Sequence, residues 1–240
     1  MDAPIPGRCT HGAMSDTITQ SNCLLFWSRG PATACALSNF ALPVGDRPLE
    51  ISWPETPLFP PHLQGRTVAY PTREHAYQSL RGADIHTSLL FATDGALGSW
   101  DCFKAWPAKK GVFGATENVY AKMRKAWAGK GMFGVAAKMA VGLDPRRAMA
   151  VFRARFEELD KTRGRDVMLR VWGPILRAHF APGTPEAAHL DGTGDVRLVE
   201  YSMRARPDSF YNAKFVRGVL VGQNNTGLFL EEIRWENRHY

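Results

Sequence analysis

A carboxylate, a carboxamide and a guanidinium recur at helical spacing in one short segment. Glu74, Gln78 and Arg81 stand at i, i+4 and i+7, so a helix would set them on one face. A carboxylate held in a cleft can stabilise a carbon that turns cationic in a transition state, and can orient a water toward it. On an open first turn the same residue is only a solvated partner of the helix dipole. Arg81 can bind a phosphate or hold Glu74 ionised. Elsewhere, Asn39 and Asn224 can fix hydroxyl groups or hold turns, and Asp208 can be a second carboxylate or a turn residue. Tyr211 can stack on a ring or pack in a core. His75, alone beside Glu74, reads as a packed or capping histidine.

The element that must position these residues starts sharply. Pro71-Thr72-Arg73-Glu74 is a helix start, with Thr72 as cap and Glu74 in the first turn. Ala76, Tyr77, Leu80 and Ala83 form the other side of that helix. Further helices are expected over Thr116–Ala128, from the Asp144-Pro145 start, and from Asp166 to Leu176, where Gly173-Pro174 must break or kink the last one. The proline-rich stretch Pro43–Pro71 reads as irregular apart from a short strand at Thr67–Tyr70. After the Pro/Gly-rich stretch Pro182–Thr193, Val196–Tyr201 and Phe215–Val221 read as strands. Gly192-Thr193-Gly194-Asp195 lacks the lysine and spacing of a phosphate loop and reads as a turn. Asn225–Asn237 reads as a closing helix with Leu228, Phe229, Ile233 and Trp235 packing. Helices and strands do not alternate as βαβ units, so a mainly helical α+β domain with a small β component is expected over 23–240. Residues 1–22, polar and aperiodic, read as a disordered leader.

Composition narrows the function classes. The 240 residues are 45% apolar and 22% charged, ordinary for a globular chain. No apolar run approaches the roughly 18 residues of a membrane span, and no secretory signal is visible. Cys9, Cys23, Cys35 and Cys102 never fall at two-residue spacing and read as reduced, cytoplasmic thiols. The seven histidines show no metal-ligand spacing, so neither a metal nor a cofactor is expected. Thirty basic against 23 acidic residues leave a net +7. The segment from Ala121 to Phe180 alone holds 14 Lys/Arg and five Asp/Glu. Such a region attracts phosphates or nucleic acid, or is simply a solvated helical face.

Five polar segments carry a resemblance when read in chain order. They are Ser38-Asn39-Phe40; Pro71-Thr72-Arg73-Glu74-His75-Ala76-Tyr77-Gln78; Thr193-Gly194-Asp195-Val196-Arg197-Leu198-Val199-Glu200; Asp208-Ser209-Phe210-Tyr211-Asn212; and Gly222-Gln223-Asn224-Asn225-Thr226-Gly227 before the closing helix. Val151-Phe152-Arg153-Ala154-Arg155-Phe156 adds a sixth. Together they resemble the NADAR family of N-glycosidases, which act on riboflavin intermediates or on ADP-ribosylated guanine. The resemblance runs from about Phe26 to Ile233, with insertions at roughly 82–130 and 160–188.

The resemblance implies a hydrolase of an N-ribosyl bond in a phosphorylated ribose substrate. Glu74, Arg81 and Asp208 take the catalytic positions, and Asn39, Phe40, Gln78, Tyr211 and Asn224 the substrate-binding ones. Arg81 stands where the family has a lysine, and a guanidinium cannot form a Schiff base. Tyr211 stands where the family has a tryptophan, and Ala140 near another. These departures favour an alternative, a non-catalytic module that binds ADP-ribose or a nucleotide. The expected partners are an ADP-ribose-type or phosphoribosyl substrate and, through residues 121–180, a nucleic acid. No membrane is expected.

Overall fold

The computed structural model describes residues 22–26, 36–39, 43–80, 82, 84–105 and 168–240. Its strands are β1 (Cys23–Phe26), β2 (Leu49–Ser52), β3 (Thr67–Tyr70), β4 (Arg197–Glu200), β5 (Lys214–Val216) and β6 (Val219–Val221). Its helices are α1 (Arg73–Ser79), α2 (Ile85–Leu89), α3 (Trp100–Ala105), α4 (Gly173–His179), α5 (Pro185–Asp191) and α6 (Asn225–His239), with a π-helical turn at Met168–Trp172 leading into α4. The fold is mixed α+β, and its strands form three two-stranded sheets. β1 runs parallel to β4, with Phe26 opposite Glu200. β2 and β3 are antiparallel, as are β5 and β6. Among the described residues no helix is long and apolar enough to cross a membrane.

Four segments depart from the sequence expectation. The proline-rich stretch holds a second strand, β2, in which Leu49 and Ile51 are buried while Glu50 and Ser52 face out. Its period-two pattern spans only four residues, closely flanked by Pro48 and Pro54, and that brevity conceals it. Phe215–Val221 is a hairpin, not one strand, because Arg217 and Gly218 take φ of 51° and 81°. Two positive φ values in a row turn the chain with the twist a hairpin needs. The 182–193 stretch contains α5, whose Thr184 hydroxyl accepts from the Ala187 N–H at 3.0 Å and whose first residue is Pro185. On α6, Phe229, Leu230 and Ile233 are buried, whereas Trp235 is 43% exposed rather than packed.

The break expected at Gly173-Pro174 is a change of helix type: the π turn ends at Trp172 and α4 starts at Gly173. The π turn widens the backbone just before it, and Pro174 enters α4 in the first turn, where its missing N–H costs no hydrogen bond.

One apolar cluster joins these elements, built on Phe26, Ile51, Trp53, Tyr70, Leu97, Ile175, Leu176, Leu198 and Ile233 among others. α4 packs on both β2 and α1, and α6 lies along β4. The segments that motif spacing sets apart as insertions feed this core where described, through Phe91, Leu97 and Phe103 on one side and Trp172, Leu176 and Phe180 on the other. The helices expected over 116–128 and from Asp144, most of the basic segment, and residues 1–21 lie outside the described residues. Cys23 and Cys102 are free thiols.

Candidate functional site

The start of α1 is built by Thr72. Its extended backbone and its hydroxyl, which accepts from the His75 N–H at 3.3 Å, cap the helix as expected. The same hydroxyl lies 2.8 Å from His75 Nδ1, and His75 Nε2 donates to the Leu97 carbonyl at 3.1 Å. A donor at Nε2 leaves Nδ1 to accept from Thr72, so the ring is neutral. Burial pushes its pKa down to about 4, against the opposing bond to Leu97. His75 is a packed residue that ties residue 97 to α1.

Glu74 is not the solvated first-turn carboxylate that its position permits. It is 5% exposed, and its Oε1 accepts from Gln78 Nε2 at 2.7 Å across one helical turn. Its N–H donates to the Asn39 carbonyl at 3.0 Å. Arg73 Nη2 donates to the carbonyls of Ser38 at 2.5 Å and Ala36 at 3.3 Å. The first turn of α1 thus grips the chain at 36–39 and brings Asn39 beside Glu74. Asn39 Oδ1 and Gln78 Oε1 are buried, and neither has a hydrogen-bond partner among the described residues. Buried acceptors left open in this way call for a donor such as a water, an ion or a ligand.

Arg73 is wholly buried, with its guanidinium 4.8 Å above the Phe180 ring. Burial draws its pKa down to about 9, while the carboxylates of Glu200 and Glu186 push the other way. At neutral pH it therefore stays a cation inside the fold. Glu186, itself buried, accepts from the Val44 N–H at 2.6 Å and from Arg47 at 3.1 Å. His179 beside them is held well below its ordinary pKa by burial first, then by the charges of Arg73 and Arg47. Trp172 from the π turn stacks on Tyr77 of α1, centroids 4.5 Å apart and 16° from parallel.

The C-terminal motif residues form a second group. Asn224 takes the left-handed conformation, φ 53°, that asparagine tolerates better than most residues. Its Oδ1 accepts from the Glu200 N–H at 3.0 Å and its Nδ2 donates to the Leu198 carbonyl at 2.8 Å. The amide expected to meet a sugar is therefore engaged with the β4 backbone, which is the reading of Asn224 as a residue that holds structure. Gly227 is required behind it: a Cβ there would lie 2.0 Å from the Leu198 carbonyl oxygen. The carbonyls of Ser209, Phe210 and Tyr211 accept from the N–H groups of Gln223, Asn225 and Thr226, which docks this turn on the start of α6. Tyr211 packs against the core and meets Phe210 edge-on at 5.0 Å. Asp208 is exposed in the turn, and its side chain makes no hydrogen bond among the described residues.

The structure thus joins Glu74 to Gln78 through side chains and to Asn39 through the backbone, and links Asn224 to Glu200. It does not join Asp208 to Glu74. Phe40 and Arg81 lie outside the described residues. Spacing and residue type do not single out Arg73 or Glu200 as site residues: Arg73 fills the variable position of its motif, and only burial shows its weight. Two clefts occur elsewhere among the described residues, one of about 980 Å³ beside β3 and α2 and one of about 270 Å³ between Arg47 and His179. Neither is lined by Glu74, Gln78 or Asn39. No cluster of three His, Cys, Asp or Glu among the described residues is placed to hold a metal. Comparison with family models, curated proteins and solved structures finds no match to this chain.

Proposed function

We propose that this chain is an N-glycosidase that hydrolyses an N-ribosyl bond in a phosphorylated ribose substrate. The observation that carries this reading is the buried Glu74 carboxylate, bonded by Gln78, whose Oε1 is an open acceptor, with a second open acceptor, Oδ1, on the Asn39 whose backbone bonds the Glu74 N–H. Cleavage of such a bond passes through an oxocarbenium-like state, positive at the anomeric carbon. A carboxylate in a low-dielectric setting stabilises that charge far better than one in water. The two open amide oxygens suit a ribose diol, which can donate one hydroxyl to each. Of the two further carboxylates, Glu200 is the better placed second acid, because it is half-buried and close enough to Arg73 to act on its charge. Asp208 would need the turn at 206–209 to move.

The substrate is ADP-ribose on guanine within a nucleic acid, or a phosphoribosylamino-pyrimidine of riboflavin synthesis. Incubating the whole protein separately with an ADP-ribosylated guanine oligonucleotide and with the pyrimidine intermediate, and following released base by mass spectrometry, tests both. Release from one substrate supports the reading and names the class. Binding of ADP-ribose without release from either would replace it with the non-catalytic module.

A further inference from the structure

The described surface carries one apolar and cationic ridge that the proposed chemistry does not use. It consists of the β5–β6 hairpin and the neighbouring turn at 203–206. Val216 and Val219 face each other across the hairpin end and are 43% and 65% exposed, and Met203 is 79% exposed. Lys214 Nζ donates to the Met203 carbonyl at 3.4 Å, and the Ser202 N–H donates to the Ala213 carbonyl at 3.0 Å, so turn and hairpin are neighbours in space. Four cations lie on this ridge: Arg204, Arg206, Lys214 and Arg217.

These cations differ from others on the molecule. Arg47, Arg177, Arg197 and Arg238 each meet a carboxylate. Arg204, Arg206, Lys214 and Arg217 meet none among the described residues. Asp208 is the one acidic residue between Tyr201 and Leu220. The hairpin turn adds a second sign. Arg217 occupies a left-handed position, φ 51°, where Asn or Gly would sit without strain. A long cation held there at a conformational cost points to a use for its charge at the tip.

We infer that this ridge is a docking surface for the phosphate backbone of a nucleic acid. Three of the four cations are arginines, whose planar fork matches phosphate oxygens two at a time. A two-stranded β-ribbon has the width that a duplex major groove admits, about 12 Å. The exposed apolar side chains of the ridge are two valines at the hairpin tip and the methionine of the neighbouring turn, which can lie against sugars and base edges. They are not the Trp, Phe or Leu anchors that hold a protein at a lipid interface. The inference stands on this surface alone and is independent of glycoside cleavage.

The test is fluorescence anisotropy of the full chain with a labelled single-stranded and a labelled duplex oligonucleotide across a salt series, set beside sedimentation with phosphatidylserine-containing vesicles. The expected result is salt-dependent oligonucleotide binding that Arg204→Glu, Arg206→Glu and Arg217→Glu together weaken at least 10-fold. The log–log salt slope should become shallower by about three, roughly one for each phosphate that no longer meets an arginine. The neutral triple variant to Gln should lie between, and matching thermal melts of the two variants and the wild type exclude a folding defect. Unaltered affinity in both variants overturns the inference, as does an absence of oligonucleotide binding by the wild type. Variants that lose vesicle binding but keep oligonucleotide binding overturn it in favour of an anionic membrane.

Discussion

Gln78 Nε2 donates to Glu74 Oε1 at 2.7 Å, one turn along α1, with both residues almost fully enclosed. The bond engages Oε1 of the carboxylate and leaves Gln78 Oε1 without a partner among the described residues. A pair like this on a solvated helix face contributes a few tenths of a kcal/mol. Enclosed, it helps set the direction in which the carboxylate points.

Glu74→Gln should therefore lower base release from the productive substrate at least about 100-fold, the scale of losing a positioned charged group. Its melting profile should stay near that of the wild type, since an amide fills the same volume. Turnover within a few-fold of wild type, with the fold intact, would remove Glu74 from the reaction.

His75 makes the fold sensitive to acid. Its pKa falls from an ordinary 6.5 to about 4 on burial, so between those values the unfolded chain binds a proton that the folded one does not. Stability is complete above about pH 6.5 and declines as pH falls toward 4, by roughly 3 kcal/mol at about 1.4 kcal/mol per pH unit. His179, shifted in the same direction, adds to the decline. Urea midpoints followed from pH 7.5 to 4.5 should fall more steeply for the wild type than for His75→Gln. Parallel slopes would take His75 out of the acid response.

Gly227→Ala should destabilise by about 2–3 kcal/mol, the range for forcing an atom into a filled site. The added methyl would meet the Leu198 carbonyl and Asn224 Nδ2 at 2.0 and 2.6 Å, so α6 must move off β4. For a chain of this size that corresponds to a fall in Tm of roughly 5–10 °C. An unchanged Tm would mean that the Asn224 clamp on β4 is looser than its geometry.

Arg73→Met tests the buried cation. It removes the bonds to Ala36 and Ser38 and leaves Glu200 and Glu186 without the charge that faces them. Removing one partner of a buried charge group costs about 3–5 kcal/mol, read as a drop in the urea midpoint. Arg73→Lys, which keeps the charge but not the fork, should fall between. A methionine variant as stable as the wild type would show that packing on Phe180 alone holds the 36–39 segment.

Arg177 belongs to the basic segment 121–180 but is committed within the fold. It forms paired hydrogen bonds to Glu236 at 2.9 and 3.1 Å and lies over the Phe229 ring. Because it is 43% exposed, Arg177→Ala should cost only about 1 kcal/mol. Oligonucleotide affinity in an anisotropy titration should not change. A several-fold loss of affinity would assign Arg177 to the nucleic-acid surface.

Local rules make part of this molecule legible in its residues. The Thr72 cap and the Glu74–Gln78 spacing follow from hydrogen bonds that close within four residues, whereas the burial of His75 needs Leu97, 22 residues on. The strand at 197–200 and the start of α6 follow from periodicity over a similarly short span. The Thr184-Pro185-Glu186 start of α5 obeys the same chemistry as Thr72 and is hidden only by its Gly- and Pro-rich surroundings. What the residues cannot decide alone is burial. Whether Glu74 is solvated or enclosed depends on what packs across α1, and α4 lies 100 residues further along the chain. Arg73 acquires its weight from Phe180, Glu186 and Glu200, none of them near it in sequence. Asn224 looks equally suited to a sugar or a turn until β4 is laid beside it. Desolvation and Coulomb energy depend on distances through space, and only the tertiary structure sets those distances.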